Sequence, residues 1–177
     1  MVRKNGSGAK DVALSGIISA LCFVVMYLSS IADVMDLSAI VLTAMIISVA
    51  VIEIGRYFPW LIWAVTSVLC ILLLPRKDIA LEFVLFGGVY PMVKSLIERK
   101  LPTIPSWIAK IVFFNAVFTL WFFISKFVFA LDVGLTLGVI AYAAANVFFI
   151  IADLAFSMMI VLYMTKIRQR LKIGKKK

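Results

Sequence analysis

The segment PRKDIALEFVLFGGVYPMVKSLIE, Pro75–Glu98, decides the architecture of the chain. It opens on Arg76, Lys77 and Asp78 directly after an apolar run, carries Glu82 one turn further on, and closes with Lys94 and Glu98. Only 15 residues separate Asp78 from Lys94, about 22 Å of helix, whereas the hydrocarbon core of a bilayer is about 30 Å thick. The segment therefore either crosses with its charged ends reaching to the interfaces and Glu82 inside the boundary, or dips in without crossing. Gly87, Gly88 and Pro91 lie in its middle, where they can bend a helix and let a neighbour or a ligand approach the backbone.

The rest of the chain points to a membrane. Its 177 residues are 64% hydrophobic with mean hydropathy +1.13, against about 45–50% apolar in soluble domains. It reads as a single all-α integral membrane domain, residues 1–177, with the lipid bilayer as its first partner. A net charge of +9 would suggest nucleic acid in a soluble protein. Here, however, Lys166, Arg168, Arg170, Lys172, Lys175, Lys176 and Lys177 crowd the last dozen positions. That is a signal of topology and of anionic headgroups. No folded polar platform is available to present bases, so nucleic acid is not an expected partner. Cys22 and Cys70 sit in apolar runs and read as buried thiols, with no disulfide framework. The chain has no histidine, the commonest metal ligand and general base. No metal and no cofactor is expected.

Six apolar spans follow from the pattern, at about 12–31, 37–54, 58–74, 79–95, 108–127 and 137–164. The first is 20 uncharged residues, longer than the 7–15 of a signal-peptide core, so it reads as a transmembrane helix rather than a cleaved leader. Ser15 with Ser19, and Gly16 with Ala20, give it small-xxx-small spacing, which permits either internal packing or close approach of a partner helix. Asp33 and Asp36 mark the first turn, and Glu53 stands three residues from Arg56, a possible pair on one helix face. Tyr57, Phe58, Trp60 and Trp63 form an interfacial belt with Pro59 in the first turn of the third span. Pro102 and Pro105 disfavour continued helix after the fourth span. The fifth has only 15 residues between Lys110 and Lys126, so both lysines are expected to snorkel. Leu131–Gly134 reads as a turn. From Val133 to Thr165 there are 33 residues without a basic side chain, too many for one crossing and too few for two, which gives one long span with an interfacial lead-in near Gly134 and Gly138.

Charge then settles the parity. With both termini cytoplasmic and six crossings, only Arg76, Lys77 and Lys126 of the 18 basic residues lie outside. Five crossings would expose the basic tail, against the positive-inside bias. The segment at 79–95 must then cross, with Glu82 near its outer end and Lys94 at its inner end. Arg76 and Lys77 are either neutralised by Asp78 and Glu82, or they hold a small anionic or zwitterionic ligand at the outer face. Lys94 and Glu98, at i and i+4, read as a plain surface pair.

Asn146 and Asp153 share a face of the last span about 10 Å apart, and Asn115 in the fifth span can meet that face. A carboxyl at such depth is a candidate site unless it is clasped by neighbouring polar groups. Enzymatic function is not expected: there is no HExxH, GxSxG or GxGD motif, and one Asp makes no catalytic dyad.

Six spans in about 180 residues, cytoplasmic ends and the small-xxx-small faces of Ser15/Ser19 and Gly16/Ala20 resemble the substrate-binding S-components of energy-coupling-factor transporters. The resemblance covers the layout of the whole chain, although the family's AxxxA appears here only with Ser and Gly substitutions. It implies that the first helix contacts the shared transmembrane coupling subunit, and that a small-molecule ligand is held towards the outer half. The candidate ligand residues are then Arg76, Lys77, Glu82, Asn115, Asn146 and Asp153. No nucleotide-binding motif occurs in the chain, so partner ATPase subunits would supply energy. The stretch Pro75–Pro91 also resembles small multispan membrane proteins of Gram-positive bacteria. The alternative is a membrane scaffold, similar in size and span count to the rod-shape protein MreD, which would transport nothing.

Overall fold

The computed structural model describes residues 8–32, 36–55, 57–129 and 135–167. Asp33, Arg56, the turn at 131–134 and the tail beyond 167 lie outside the described residues, and with them the Glu53–Arg56 pair. The described elements are all helical: α1 Gly8–Ala32, α2 Asp36–Glu53, α3 Phe58–Leu73, α4 Lys77–Glu82, a π-helical stretch Phe83–Gly87, α5 Tyr90–Lys100, α6 Thr103–Phe129 and α7 Leu135–Leu162, which ends in a π-helical turn Tyr163–Ile167. Five segments are long and apolar enough to cross a membrane: Gly8–Ala32, Asp36–Glu53, Lys77–Lys100, Thr103–Phe127 and Gly138–Lys166. The chain is thus a multi-pass integral membrane protein in contact with lipid. The sixth apolar helix, α3, has only 16 residues, about 24 Å.

Two bodies divide the chain, Met1–Asp132 and Val133–Lys177. In the first, α1 lies against α2 and α3, and α2 also meets α5 and the π-helical stretch. The helices turn their small and polar residues inward. In α1 the buried stripe is Ser15, Ser19, Cys22, Met26 and Ser29/Ser30, while Ile17, Leu21, Val24, Leu28 and Ile31 are exposed. Lipid tails are as apolar as leucine, so burial supplies little drive in a bilayer. Close packing and hydrogen bonds hold the helices instead, which favours this inverted pattern. Three of the hydroxyls are satisfied locally: Ser15 donates to the Asp11 carbonyl at 2.7 Å, Ser19 to the Ser15 carbonyl at 2.9 Å and Thr43 to the Ala39 carbonyl at 2.9 Å. Cys22, Met26, Ile47, Ile62 and Phe83 fill the space between, each 0% exposed.

Lys77–Lys100 runs as one helical segment of 24 residues, about 36 Å, interrupted by the π-helical stretch. The Gly88 amide donates to the Phe83 carbonyl at 2.8 Å, five residues back, and the Trp63 indole N–H donates to the Val84 carbonyl at 3.1 Å. A Cβ on Gly87 would come within 2.6 Å of Ile40 Cγ2, and one on Gly88 would collide with the Trp63 ring. The two glycines therefore let α2 and α3 close onto this segment. Pro91, in the first turn of α5, adds no donor to the interrupted ladder. Beyond it, Phe86, Tyr90, Phe113, Phe114, Phe118 and Trp121 form an aromatic seam with centroid spacings of 5.1–6.4 Å.

Two boundaries differ from the sequence expectation. The helix breaks only around Leu101–Pro102, and α6 already starts at Thr103, because a proline in a first helical turn removes an N–H that has no intrahelical acceptor. In the second body, α7 is already helical at Leu135, ahead of Gly138, where an interfacial lead-in is expected.

Candidate functional site

Polar groups gather at the two ends of the Lys77–Lys100 segment. At the first end, the extended backbone at Leu74 and Arg76 brings Arg76 across the ends of α1 and α2. Its guanidinium bridges two carboxylates, Nη1 to Asp36 Oδ2 at 2.8 Å and Nη2 to Asp78 Oδ2 at 2.7 Å. Its amide donates to Ser30 Oγ at 3.3 Å, and Ser29 Oγ donates to Asp36 Oδ1 at 3.2 Å. Three parts of the chain are thereby clasped: the end of α1, the start of α2 and the α3–α4 connection. Asp36 and Asp78 each occupy the first turn of a helix, where a negative charge meets the positive end of the macrodipole. Lys77 turns away and donates to the Ile71 carbonyl at 2.7 Å, capping the last turn of α3 as cations do at helix C-termini.

Glu82 is one turn beyond Asp78 on the same helical face. It is half-buried and makes no hydrogen bond or ion pair among the described residues. Asp78, Asp36 and Arg76 are the charges that act on it. This end of the bundle therefore combines a neutralised guanidinium with a carboxyl that has no direct partner among the described residues.

At the other end, Lys94 Nζ and Lys110 Nζ both reach Glu98 Oε1, at 2.9 Å and 3.2 Å. The Lys94 and Glu98 side chains are paired as the i, i+4 spacing predicts, but this is no surface pair: the Lys94 side chain is 2% exposed and that of Glu98 43%. Lys110 does not snorkel either. Its side chain is 4% exposed, and its ammonium lies 4.2 Å from the Trp107 ring centroid. Lys126, by contrast, is exposed.

The other candidates make their contacts along their own helices. Asn115 donates to the Ile111 carbonyl of its own helix at 2.9 Å. In the second body, Asn146 donates to the Tyr142 carbonyl at 2.9 Å, Asp153 is 1% exposed, and its backbone carbonyl accepts the Ser157 hydroxyl at 2.8 Å. On α1 the two small pairs divide. Ser15 and Ser19 are buried in the bundle, whereas Ala20 is exposed and a Cβ on Gly16 would meet nothing within 4 Å.

Asp36, Ser29, Ser30 and Lys110 are the site residues that sequence reasoning missed. Asp36 had one usable signal: an acid opening a helix, available to a basic pair in a loop at the same end. Among the described residues no group of acidic, Cys or His side chains could hold a metal. No family model matches the chain, and no curated protein or solved structure matches it.

Proposed function

We propose that this is a cell-membrane protein of six crossings with both termini cytoplasmic, α3 crossing together with the five longer helices. In this reading it is the substrate-binding subunit of an uptake system for a small polar metabolite, energised by a partner ATPase module as energy-coupling-factor S-components are. Glu82 carries the reading. A half-buried carboxyl with no direct partner among the described residues, beside a clasp whose arginine is already engaged, is a group to which a ligand can respond. Because Arg76 and Lys77 are both occupied, the group on offer is the Glu82 carboxyl. The complementary ligand carries an amine or another cationic group, which excludes the purely anionic ligand and keeps the zwitterionic one of the two that Arg76 and Lys77 imply in the sequence. The open Gly16/Ala20 face of α1 supports close approach of a partner helix.

The second reading is a non-transporting scaffold. The mutual satisfaction of Arg76, Asp36 and Asp78 favours it, as does the filled interior around Cys22, Met26 and Phe83. Gentle purification from the native host, followed by mass spectrometry of what accompanies the protein, separates the two. Coupling subunits, or a stoichiometric cationic metabolite lost in Glu82→Gln, are expected for the uptake subunit. Cell-wall or division proteins without either would establish the scaffold.

A further inference from the structure

We propose that the α5–α6 end of the bundle binds a phosphate group, carried on a lipid headgroup or free in solution, between Lys94 and Lys110 with the Ser106 hydroxyl as a further donor. Two ammonium groups from different helices converge on one oxygen, Glu98 Oε1. Like charges are brought this close only around an anion, and phosphate presents several such oxygens. Glu98 is the internal occupant of the position. Its side chain is 43% exposed, so it can turn out to water while the buried lysines stay.

Ser106 supplies an independent observation. It lies one turn before Lys110, and these are the two buried positions in the first two turns of α6. Its residue is 5% exposed and its Oγ has no hydrogen-bond partner among the described residues. A buried hydroxyl without a partner is costly, and a bound oxyanion would supply its partner. The first turn of α6 adds the positive end of a 27-residue helix, with Pro105 lacking an N–H and that of Ser106 donating to the Pro102 carbonyl at 3.0 Å. The Trp107 ring packed on Lys110 is of the type enriched at the headgroup level of a bilayer.

The test uses the full chain in nanodiscs, read by its thermal midpoint. One arm adds inorganic phosphate to phosphatidylcholine discs at constant ionic strength, with chloride as control. The other compares phosphatidylglycerol with phosphatidylcholine discs without added phosphate. A rise in the first arm identifies free phosphate as a ligand; a rise confined to the second identifies the headgroup. In the responding arm, Ser106→Ala is expected to shrink the rise and Glu98→Gln to enlarge it, with half-saturation about tenfold tighter once the competing carboxylate is gone. Lys110→Gln should abolish the response; if it does not fold, the other two variants carry the test. No rise in either arm overturns the proposal. So does a rise of equal size in wild type, Ser106→Ala and Glu98→Gln, which is general attraction of a basic surface to anionic lipid.

Discussion

At the residue scale, Arg76 decides whether the first end of the bundle is closed. Its fork matches two carboxylates at once, a geometry that a lysine point charge cannot reproduce. Arg76→Gln leaves Asp36 and Asp78 facing each other with no cation between them. The side chains are 23–39% exposed, so solvent screening holds each pair to about 1 kcal/mol, and a loss of roughly 1–2 kcal/mol is expected. Arg76→Lys should recover less than half of it. Thermal unfolding in detergent measures both, and an unchanged midpoint in Arg76→Gln would show that the clasp bears no load. Lys77→Gln should change stability by no more than about 0.5 kcal/mol, since an exposed helix-end cation contributes little. The pairing of Arg76 with Asp78 is legible in the sequence because the two stand two positions apart. Asp36, 40 positions away, is not, because a single sequence carries no distances between helices.

At the element scale, the interrupted helix at Phe83–Gly87 brings α2, α3 and α6 together. The sequence marks the place through Gly87, Gly88 and Pro91, and a bend is the natural reading. What it leaves open is whether the exposed backbone serves a ligand or a neighbour. The answer lies in Ile40 and Trp63, whose contact with the glycines depends on how α2 and α3 are packed. Gly88→Ala must displace a whole indole and strain its hydrogen bond to Val84, so a loss of about 1–3 kcal/mol is expected. Gly87→Ala meets Ile40 Cγ2, on a β-branched side chain that is stiff in a helix. Ile40→Ala should therefore restore part of the stability that Gly87→Ala removes, with the double mutant departing from additivity by at least about 0.5 kcal/mol. Strict additivity would mean that the two positions do not touch.

At the scale of the whole molecule, the count of crossings turns on α3 and on the Lys77–Lys100 segment. Hydropathy marks both stretches, but the sequence reading makes the second too short, because it takes Lys94 as its inner end. The helix continues to Lys100, since the Lys94 ammonium is buried on Glu98 instead of reaching the interface. That gives about 36 Å of helix, enough to cross. α3 is the short one, at 16 residues, and its crossing in the proposed six-span arrangement requires local thinning of the bilayer and help from its flanking groups. Tyr57 and Trp60 flank one end of it, and the Lys77 ammonium caps the other. Six crossings require Lys77 and Lys100 to face opposite sides. Cysteine labelling reads this directly, because native Cys22 and Cys70 are 0% exposed and give little background. In intact cells a membrane-impermeant maleimide should label Lys77→Cys and Lys126→Cys, and should reach Lys10→Cys and Lys100→Cys only after permeabilisation. Labelling of Lys77→Cys and Lys100→Cys from the same side would mean that the segment enters and returns, which places the basic tail opposite the N-terminus and removes the positive-inside argument for the whole arrangement.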